Sequence, residues 1–187
     1  MPDWIHGLSP SRSRDHGREK KMLSEKLQEA LNAQLQRELY SAYLYLAMAA
    51  QMEADGLPGF AHWMRVQAQE EVGHAMKFYD FINERRGRVV LQAIEQPPKD
   101  FGTPLAAFEQ ALAHEQMITA RIHELYALAA QEQDYASQVF LHWFVEEQVE
   151  EELITSQVID QLKRIGDDDV GLLILDKELG EREPEEE

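Results

Sequence analysis

Polar residues recur in this sequence at fixed offsets, and this repeat restricts the possible folds more than any other feature. The interval in sequence from Glu38 to Glu71 equals the interval from Glu115 to Gln148. Each member of the second pair therefore follows its counterpart in the first pair by the same distance along the chain. Two copies of one helical hairpin would present polar groups in this way, as a bundle with pseudo-two-fold symmetry requires. The repeat therefore predicts four helices in two similar hairpins.

Helical periodicity, interrupted by glycine and proline, defines the extent of each segment. The predicted helices run from about Ser24 to Ala54 (α1), Leu57 to Arg86 (α2), Thr103 to Gln131 (α3), Asp134 to Gly166 (α4) and Val170 to Leu179 (α5). Residue types that cap helix N-termini begin α1, α3 and α4. The predicted inward-facing residues are Leu27, Leu31, Leu35, Leu39, Ala42 and Leu46 of α1, and Phe60, Trp63, Met64, Ala75, Phe78 and Phe81 of α2.

The connection between α2 and α3 is too long for a hairpin turn. Pro97 and Pro98 prevent a helix there, although residues 89–91 could be briefly extended. From residue 87 to residue 103 the chain can reach about 56 Å at about 3.3 Å per residue, whereas α2 is only about 43 Å long. We therefore predict an all-α, ferritin-like four-helix bundle with one long crossover between α2 and α3, plus a short fifth C-terminal helix.

The two ends of the chain differ in composition from the predicted domain, which spans residues 22–180. Residues 1–21 are basic, lack an apolar stretch typical of secretory signals, and are predicted to form a disordered extension. An upstream start ahead of Met22, a cloning remnant and a basic tail that contacts a partner are alternatives. Residues 181–187 form an acidic tail that we expect to fray. The apolar run in α5 predicts packing against its own bundle or against other subunits.

Composition excludes several classes of function. The formal net charge of -17 argues against a nucleic-acid partner, because phosphate binding requires a basic surface. The same charge attracts metal cations. The chain has no cysteine, which excludes disulfides and thiolate metal sites. No apolar run approaches the ~20 residues of a membrane span, and we expect a cytoplasmic protein.

A Glu-x-x-His pair in the middle of α2 gives the first indication of chemistry. Glu71 and His74 share one helix face with the apolar residues, so both side chains are predicted to point inward. Desolvating them is costly unless opposite charge lies nearby. Two hairpins that each supply a Glu and a Glu-x-x-His-like pair can hold two metal ions between four helices, and carboxylate and imidazole donors suit iron. The candidate ligands are Glu38, Glu71, His74, Glu115, Gln148 and Glu151.

From Leu23 to Leu179 the sequence resembles the non-haem ferritins of prokaryotes. The stretches that carry the resemblance are residues 36–41 with Tyr45, residues 69–71 with His74, residues 114–116, residues 143–152 and residues 175–179. The resemblance implies a homo-oligomeric shell of typically 24 subunits that oxidises Fe(II) with O2 and stores Fe(III) mineral inside. It implies that Glu38, Glu71 and His74 hold one iron, with Glu71 bridging, and that Glu115 and Glu151 hold the second.

The resemblance also implies roles for residues around this pair of irons. Gln148 would stand nearby as an oxygen or water ligand, and Tyr45 would hydrogen-bond near the centre and give an electron. An additional third iron site of prokaryotic ferritins would be formed by Glu70, Glu147, Glu150 and Glu151. Glu147, Glu150 and Glu151 are also on one face of α4 by their helical spacing.

Differences from two related families favour a non-haem ferritin over either of them. Haem-containing bacterioferritins carry a second Glu-x-x-His in the fourth helix, where this chain has Gln148 and Glu151. Their haem-ligating methionine corresponds to Val72, which cannot ligate iron, so we expect no haem. Met64 and Met76 are expected to fill the core. Small DNA-binding miniferritins lack the fifth helix and fit less well.

Two other kinds of protein remain as alternatives to an iron-storing ferroxidase. One is a soluble di-iron oxidase or peroxidase that stores nothing. The other is a purely structural acidic bundle. Observation of a hollow shell would distinguish a ferritin from the soluble oxidase or peroxidase. Tight Fe(II) binding at two sites per subunit would exclude the structural bundle.

Overall fold

The computed structural model describes residues 23–184 and has five α-helices within them. They are α1 Glu25–Ala54, α2 Pro58–Glu84, α3 Pro104–Gln131, α4 Tyr135–Ile165 and α5 Asp169–Leu179. The all-α prediction is confirmed, and residues 89–91 have no regular structure. α2 ends two residues earlier than predicted, because Arg86 adopts a left-handed conformation with φ of 58°. The predicted extension, residues 1–21, lies outside the described residues.

Side-chain caps begin three of the four long helices as predicted. Ser24, Thr103 and Asp134 each accept a hydrogen bond from the backbone N–H three residues further on, at 3.0, 3.2 and 3.0 Å. Each cap satisfies a donor that the first helical turn leaves without a partner. The helix starts are therefore encoded locally.

The connection between α2 and α3 returns along α1, which confirms the predicted crossover. Near its start, the Asn32 side chain accepts from Val90 N at 2.7 Å and donates to Arg88 O at 3.0 Å. Near its end, the Gln51 side chain accepts from Phe101 N at 2.7 Å. Amide side chains of α1 thus provide both donors and acceptors for a connection without internal secondary structure.

α5 docks on the first turn of α2. Asp176 Oδ1 accepts hydrogen bonds from Gly59 N at 2.8 Å and Phe60 N at 3.0 Å. A Cβ added at Gly59 would lie 1.6 Å from Asp176 O, so only glycine permits this approach. Packing against its own bundle accounts for one face of α5, whereas Leu173 and Ile174 on the other face are 62% and 64% exposed.

Two apolar clusters form the core, one at each end of the bundle. One combines residues 44–68 of the first hairpin with residues 101–111, 158–162 and two buried leucines of α5. The other combines residues 23–35 with residues 78–82, 118–129 and 141–144. The four long helices therefore all pass through a middle layer that belongs to neither cluster. Glu38, Glu71, Glu115 and Gln148 lie in this layer.

Two predicted core positions are wrong. Leu46 is 48% exposed and Met76 is 46% exposed. Successive four-residue steps rotate the side chain by about 40° each, so a row that starts at Leu27 has left the core by Leu46. Met76 follows the buried His74 by two residues and so points to nearly the opposite side of α2.

None of the helices within residues 23–184 combines the length and the apolar character that a membrane crossing requires.

A candidate di-metal centre

Three buried side chains from α1 and α2 converge in the middle layer. Ligand atoms of Glu38, Glu71 and His74 all lie within 4.8 Å of one another. Glu38 is on α1 and the other two are one turn apart on α2, so the α1–α2 hairpin alone assembles this group. The inward orientation predicted for all three is confirmed by their burial.

The His74 ring also faces α4. Its Nδ1 lies 3.6 Å from Glu71 Oε2, and its Nε2 lies 3.6 Å from Glu147 Oε1. Both separations exceed normal hydrogen-bond lengths. His74, Glu147 and Glu151 form a second group whose ligand atoms lie within 4.8 Å of one another. One imidazole therefore stands between two sets of carboxylates.

Glu115 supplies the matching carboxylate from α3. Its Oε1 accepts a hydrogen bond from the Tyr45 hydroxyl at 2.5 Å, and its Oε2 accepts one from Gln148 Nε2 at 3.3 Å. All three side chains are buried. Tyr45 thus links α1 to α3, while Gln148 links α4 to α3 at the same level.

Burial dominates the electrostatics of the centre. Desolvation raises the pKa of Glu115 to about 7 and that of Glu151 to about 8, and mutual repulsion of the two carboxylates adds to the pKa of Glu151. Desolvation likewise raises the pKa of Glu38 and Glu71. For His74, burial lowers the pKa, but the carboxylates of Glu147 and Glu71 outweigh it and the pKa is raised well above its ordinary value.

The hydrogen bonding and the donor types of these side chains favour a bound cation. Glu71 Oε2 and Gln67 Oε1 are buried and have no hydrogen-bond partner within residues 23–184. A buried acceptor without a partner is costly, and a cation would satisfy it. The donors are carboxylate oxygens with one imidazole, which is the set that di-iron bundles use.

The structure brings together only part of the predicted third site. Glu147 and Glu151 lie near His74, as described above, whereas Glu150 is exposed to solvent. Glu70 instead forms an ion pair with Arg182, whose Nη2 lies 2.8 Å from Glu70 Oε2. The tail was expected to fray, yet Arg182 is docked against α2.

Two buried glutamines orient the carboxylates, and sequence reasoning did not select them. Gln34 Nε2 donates to Glu38 Oε1 at 2.8 Å, and Gln67 Nε2 donates to Glu151 Oε2 at 2.7 Å. The signal was present, since the interval in sequence from Gln34 to Gln67 is the one that also separates Glu38 from Glu71.

Residues 28–165, more than half of the chain, match the family model described as a ferritin-like domain. The chain belongs to the ferritin family. This ferritin is 44% identical over 161 residues to a bacterial non-heme ferritin of Bacteroides fragilis, covering 86% of this chain and 100% of the relative. A bacterial non-heme ferritin of Staphylococcus aureus is 43% identical over 166 residues, covering 89% of this chain and 100% of the relative.

Among solved structures, this ferritin is similar to the open pore ferritin of the hyperthermophilic archaeon Archaeoglobus fulgidus. The two share 54% identity with a TM-score of 0.86, over 86% of this chain and 99% of the archaeal chain. An engineered closed form of the same archaeal ferritin gives 53% identity and a TM-score of 0.86, over 87% and 99% of the two chains. The predicted resemblance to prokaryotic non-haem ferritins is confirmed, and membership of this family supports iron storage as the function.

Proposed function

We propose that this ferritin oxidises Fe(II) to Fe(III) with O2 at a di-iron centre and stores the mineral inside a homo-oligomeric shell of typically 24 subunits. The observation that supports it most directly is the buried Glu38, Glu71 and His74 group, which faces the Glu115 and Glu151 carboxylates across a family-matched bundle. Iron is the substrate of this centre as well as the cargo of the shell.

The proposed ligand roles follow the two hairpins. Glu38 and His74 hold one iron, Glu115 and Glu151 hold the other, and Glu71 lies between them. Carboxylates stabilise Fe(III) more than Fe(II), because they are hard, anionic donors. Each O2 accepts four electrons from four Fe(II) ions and its oxygen ends as water or in the mineral, while hydrolysis of Fe(III) releases protons.

Tyr45 and Gln148 act on the same carboxylate. The Tyr45 hydroxyl donates to one oxygen of Glu115 and the Gln148 amide donates to the other. Together they hold Glu115 in one orientation, in the way that outer hydrogen bonds orient metal ligands elsewhere. We further propose that Tyr45 transiently supplies one of the four electrons that O2 accepts and is reduced again by a further Fe(II), so that four Fe(II) ions still account for each O2.

A third cation site next to the pair remains part of the proposal. The second group, His74, Glu147 and Glu151, supports a cation on the α4 side of the centre. Glu151 is shared with the paired irons in this arrangement. Glu70 and Glu150 would join only if their side chains move from the positions described above.

Exposed apolar residues support assembly into a homo-oligomer. Val139 and Val149 on α4 are exposed, as are Leu173 and Ile174 on α5. Leu173 and Ile174 are neighbours in α5, and exposed apolar patches are typical of protein–protein contacts. A cytoplasmic location and the absence of haem remain predictions, the latter because Val72 offers no ligand atom.

The test compares Glu71→Ala and His74→Ala with matched controls at exposed positions, Glu124→Ala and His142→Ala. We expect either site variant to abolish fast aerobic Fe(II) oxidation, a larger loss than the roughly 10–100-fold that removal of an outer hydrogen-bonding partner of a ligand costs, while the oligomer stays assembled. Stopped-flow absorbance and size-exclusion chromatography measure these two properties. Oxidation at the parent rate in Glu71→Ala would refute the site.

Iron storage needs a separate experiment, because a di-iron oxidase that stores no iron would give the same result in the oxidation test. Aerobic loading with excess Fe(II), followed by electron microscopy, should reveal hollow particles with dense mineral cores. Fast oxidation without particles would favour the soluble oxidase or peroxidase. Failure to bind Fe(II) at all would favour the structural bundle.

A further inference from the structure

Arg182 is held against α2 by three contacts. Its backbone carbonyl accepts a hydrogen bond from His62 Nε2 at 2.7 Å. Its guanidinium lies 4.6 Å from the centroid of the Trp63 ring, a cation–π contact. Its Nη2 lies 2.8 Å from Glu70 Oε2. The side chain is 16% exposed, so Arg182, three residues after the end of α5, is a packed part of the bundle.

The partner of this arginine belongs to the acidic surroundings of the metal centre. Glu70 directly precedes Glu71 in α2, and the carboxylates of Glu70 and Glu151 repel each other. A positive charge bonded to Glu70 therefore lessens the negative potential beside the centre. It also bonds Glu70 Oε2 directly, so a metal ion at this oxygen would have to displace it.

We propose that Arg182 is a tethered cation that competes with divalent metal ions for the Glu70 carboxylate. A metal ion can use the bonded oxygen of Glu70 only after the guanidinium leaves, since the two charges repel at contact distance. The segment that carries Arg182 thus regulates how many ions the subunit holds. This inference rests on the proposed function only in naming iron as the ion concerned.

Two features allow the guanidinium to leave. Arg182 Nη1 is buried and has no hydrogen-bond acceptor within residues 23–184, so no described group stabilises this nitrogen in the docked position. A cavity of about 470 Å³ adjoins the side chain, and Glu178 and Glu183 are among the residues that line it. The arginine can therefore swing toward other carboxylates when an ion takes Glu70.

The first experiment titrates the assembled full-length protein with Zn(II), which does not oxidise, using isothermal calorimetry. The variant is Arg182→Gln, which keeps hydrogen-bonding capacity and removes the charge. The matched control is Arg65→Gln, which removes the same charge from the exposed Arg65–Glu53 ion pair. We expect Arg182→Gln to bind one more Zn(II) per subunit, or to bind the last ion at least about tenfold more tightly. Identical isotherms for the two variants would overturn the inference.

A second comparison shows whether the gain depends on Glu70. Combining Glu70→Gln with Arg182→Gln should abolish the gain, because the contested oxygen is then a weak, neutral ligand. A gain that persists without Glu70 would mean that Arg182 acts only through overall charge, and the inference would fail. If the centre fails to oxidise Fe(II) but the Glu70-dependent gain is present, the proposed function fails and the competition stands.

Fluorescence reports displacement in the protein with Arg182 intact, so the inference does not depend on a variant at that position. The contribution of Trp63 to the emission is the part lost on Trp63→Phe, a comparison that leaves Trp143 beside His74 unchanged. The Trp63 emission should change as the last Zn(II) binds, because the guanidinium leaves the ring face. The change should be absent when Arg182→Gln is added. Constant Trp63 emission through saturation would contradict the proposal.

Discussion

His74 is held by aromatic as well as polar neighbours, and both fix the direction of its ring nitrogens. The Trp143 ring meets it edge-on at 5.3 Å between centroids, and Phe144 meets it at 6.0 Å. The Lys77 ammonium lies 4.5 Å from the centroid of the same Trp143 ring. Rotation of the imidazole would disturb this packing, so each nitrogen stays directed at one carboxylate.

Tyr45→Phe should separate ion binding from oxidation. Loss of the hydroxyl removes one of the two hydrogen bonds that orient Glu115 and the proposed electron donor. We expect two ions still to bind per subunit, with oxidation slowed by about 10–100-fold, as for other losses of a ligand-orienting group. Anaerobic titration and stopped-flow oxidation measure the two effects.

Tyr43→Phe is the matched control, because Tyr43 is exposed on the same helix. It should oxidise Fe(II) at the parent rate. An equal loss in both variants, or no loss in Tyr45→Phe, would remove Tyr45 from the mechanism.

The raised pKa values predict an unusual pH dependence of stability in chelator-treated protein. Because the pKa values of Glu115 and Glu151 rise on folding, to about 7 and about 8, the native state binds more protons than the unfolded state above about pH 4.5. His74, whose pKa is also raised, acts in the same direction by losing its stabilising charge as pH rises.

The melting temperature of that protein should therefore fall between about pH 5 and about pH 8, by about 5 °C for a net loss of about 2 kcal/mol. Divalent ions should reverse the fall, since they replace the bound protons. Differential scanning calorimetry with and without Zn(II) would measure this. A melting temperature that rises over the same range would show that the carboxylates are not held protonated.

The sequence predicted the position of individual side chains correctly where regular spacing along the helices determines it. The inward positions of Glu38, Glu71 and His74 follow from helical periodicity and the repeat. The pairing of Glu70 with Arg182 spans 112 residues and follows no periodic rule, so nothing in either local sequence predicts it. Whether the predicted ligands bind iron stays a prediction that the experiments above decide.

At the scale of elements, helix ends were predictable and helix faces less so. Caps act through hydrogen bonds within one turn, and those at Ser24, Thr103 and Asp134 lie where the sequence indicated. The buried face of a helix is predicted from residues over several turns, and the small rotation between successive positions adds up along the helix. For this reason Leu46 was wrongly predicted to lie in the core, whereas the prediction for nearby Ala42 was correct.

Asp176→Ala should detach α5 from the start of α2. The substitution leaves the backbone N–H groups of Gly59 and Phe60 without their acceptor. We expect a loss of about 1–2 kcal/mol, typical of a lost helix cap, and a fall in melting temperature of several degrees. Thermal unfolding measured by circular dichroism gives the value.

Asp160→Ala, at an exposed position of α4, is the control and should change the melting temperature little. An unchanged melting temperature in Asp176→Ala would mean that the apolar contacts of Leu175 and Leu179 alone hold α5 in place.

At the scale of the whole molecule, the crossover was predictable because chain length and bundle length can be compared without coordinates. The side chains that hold it were not, since Asn32 and Gln51 resemble any surface amide in sequence. The arrangement of subunits likewise has no signal in a single chain beyond unexplained apolar surface.

Replacing Leu173 and Ile174 together with lysine tests the exposed face of α5. Both side chains are largely in solvent within one subunit, so the fold should persist while contacts between subunits weaken. We expect smaller oligomers by light scattering, with unchanged helical content. Asp167→Lys, in the turn before α5, adds positive charge without removing apolar surface and should keep the parent size. Intact large oligomers in the double variant would place the contacts elsewhere.

The polar layer between the two apolar clusters also bears on how the molecule opens. Helices ordinarily lose amide protection against hydrogen exchange from their ends inward, because terminal turns fray first. Here the mid-helix turns around residues 71–74 and 148–151 hold mutually repelling carboxylates, while apolar packing secures both ends. Without ions and above about pH 8, where Glu115 and Glu151 lose their protons, exchange should therefore be faster in the middle of the long helices than in the turns on either side. Bound iron would then join two separately packed halves of the bundle.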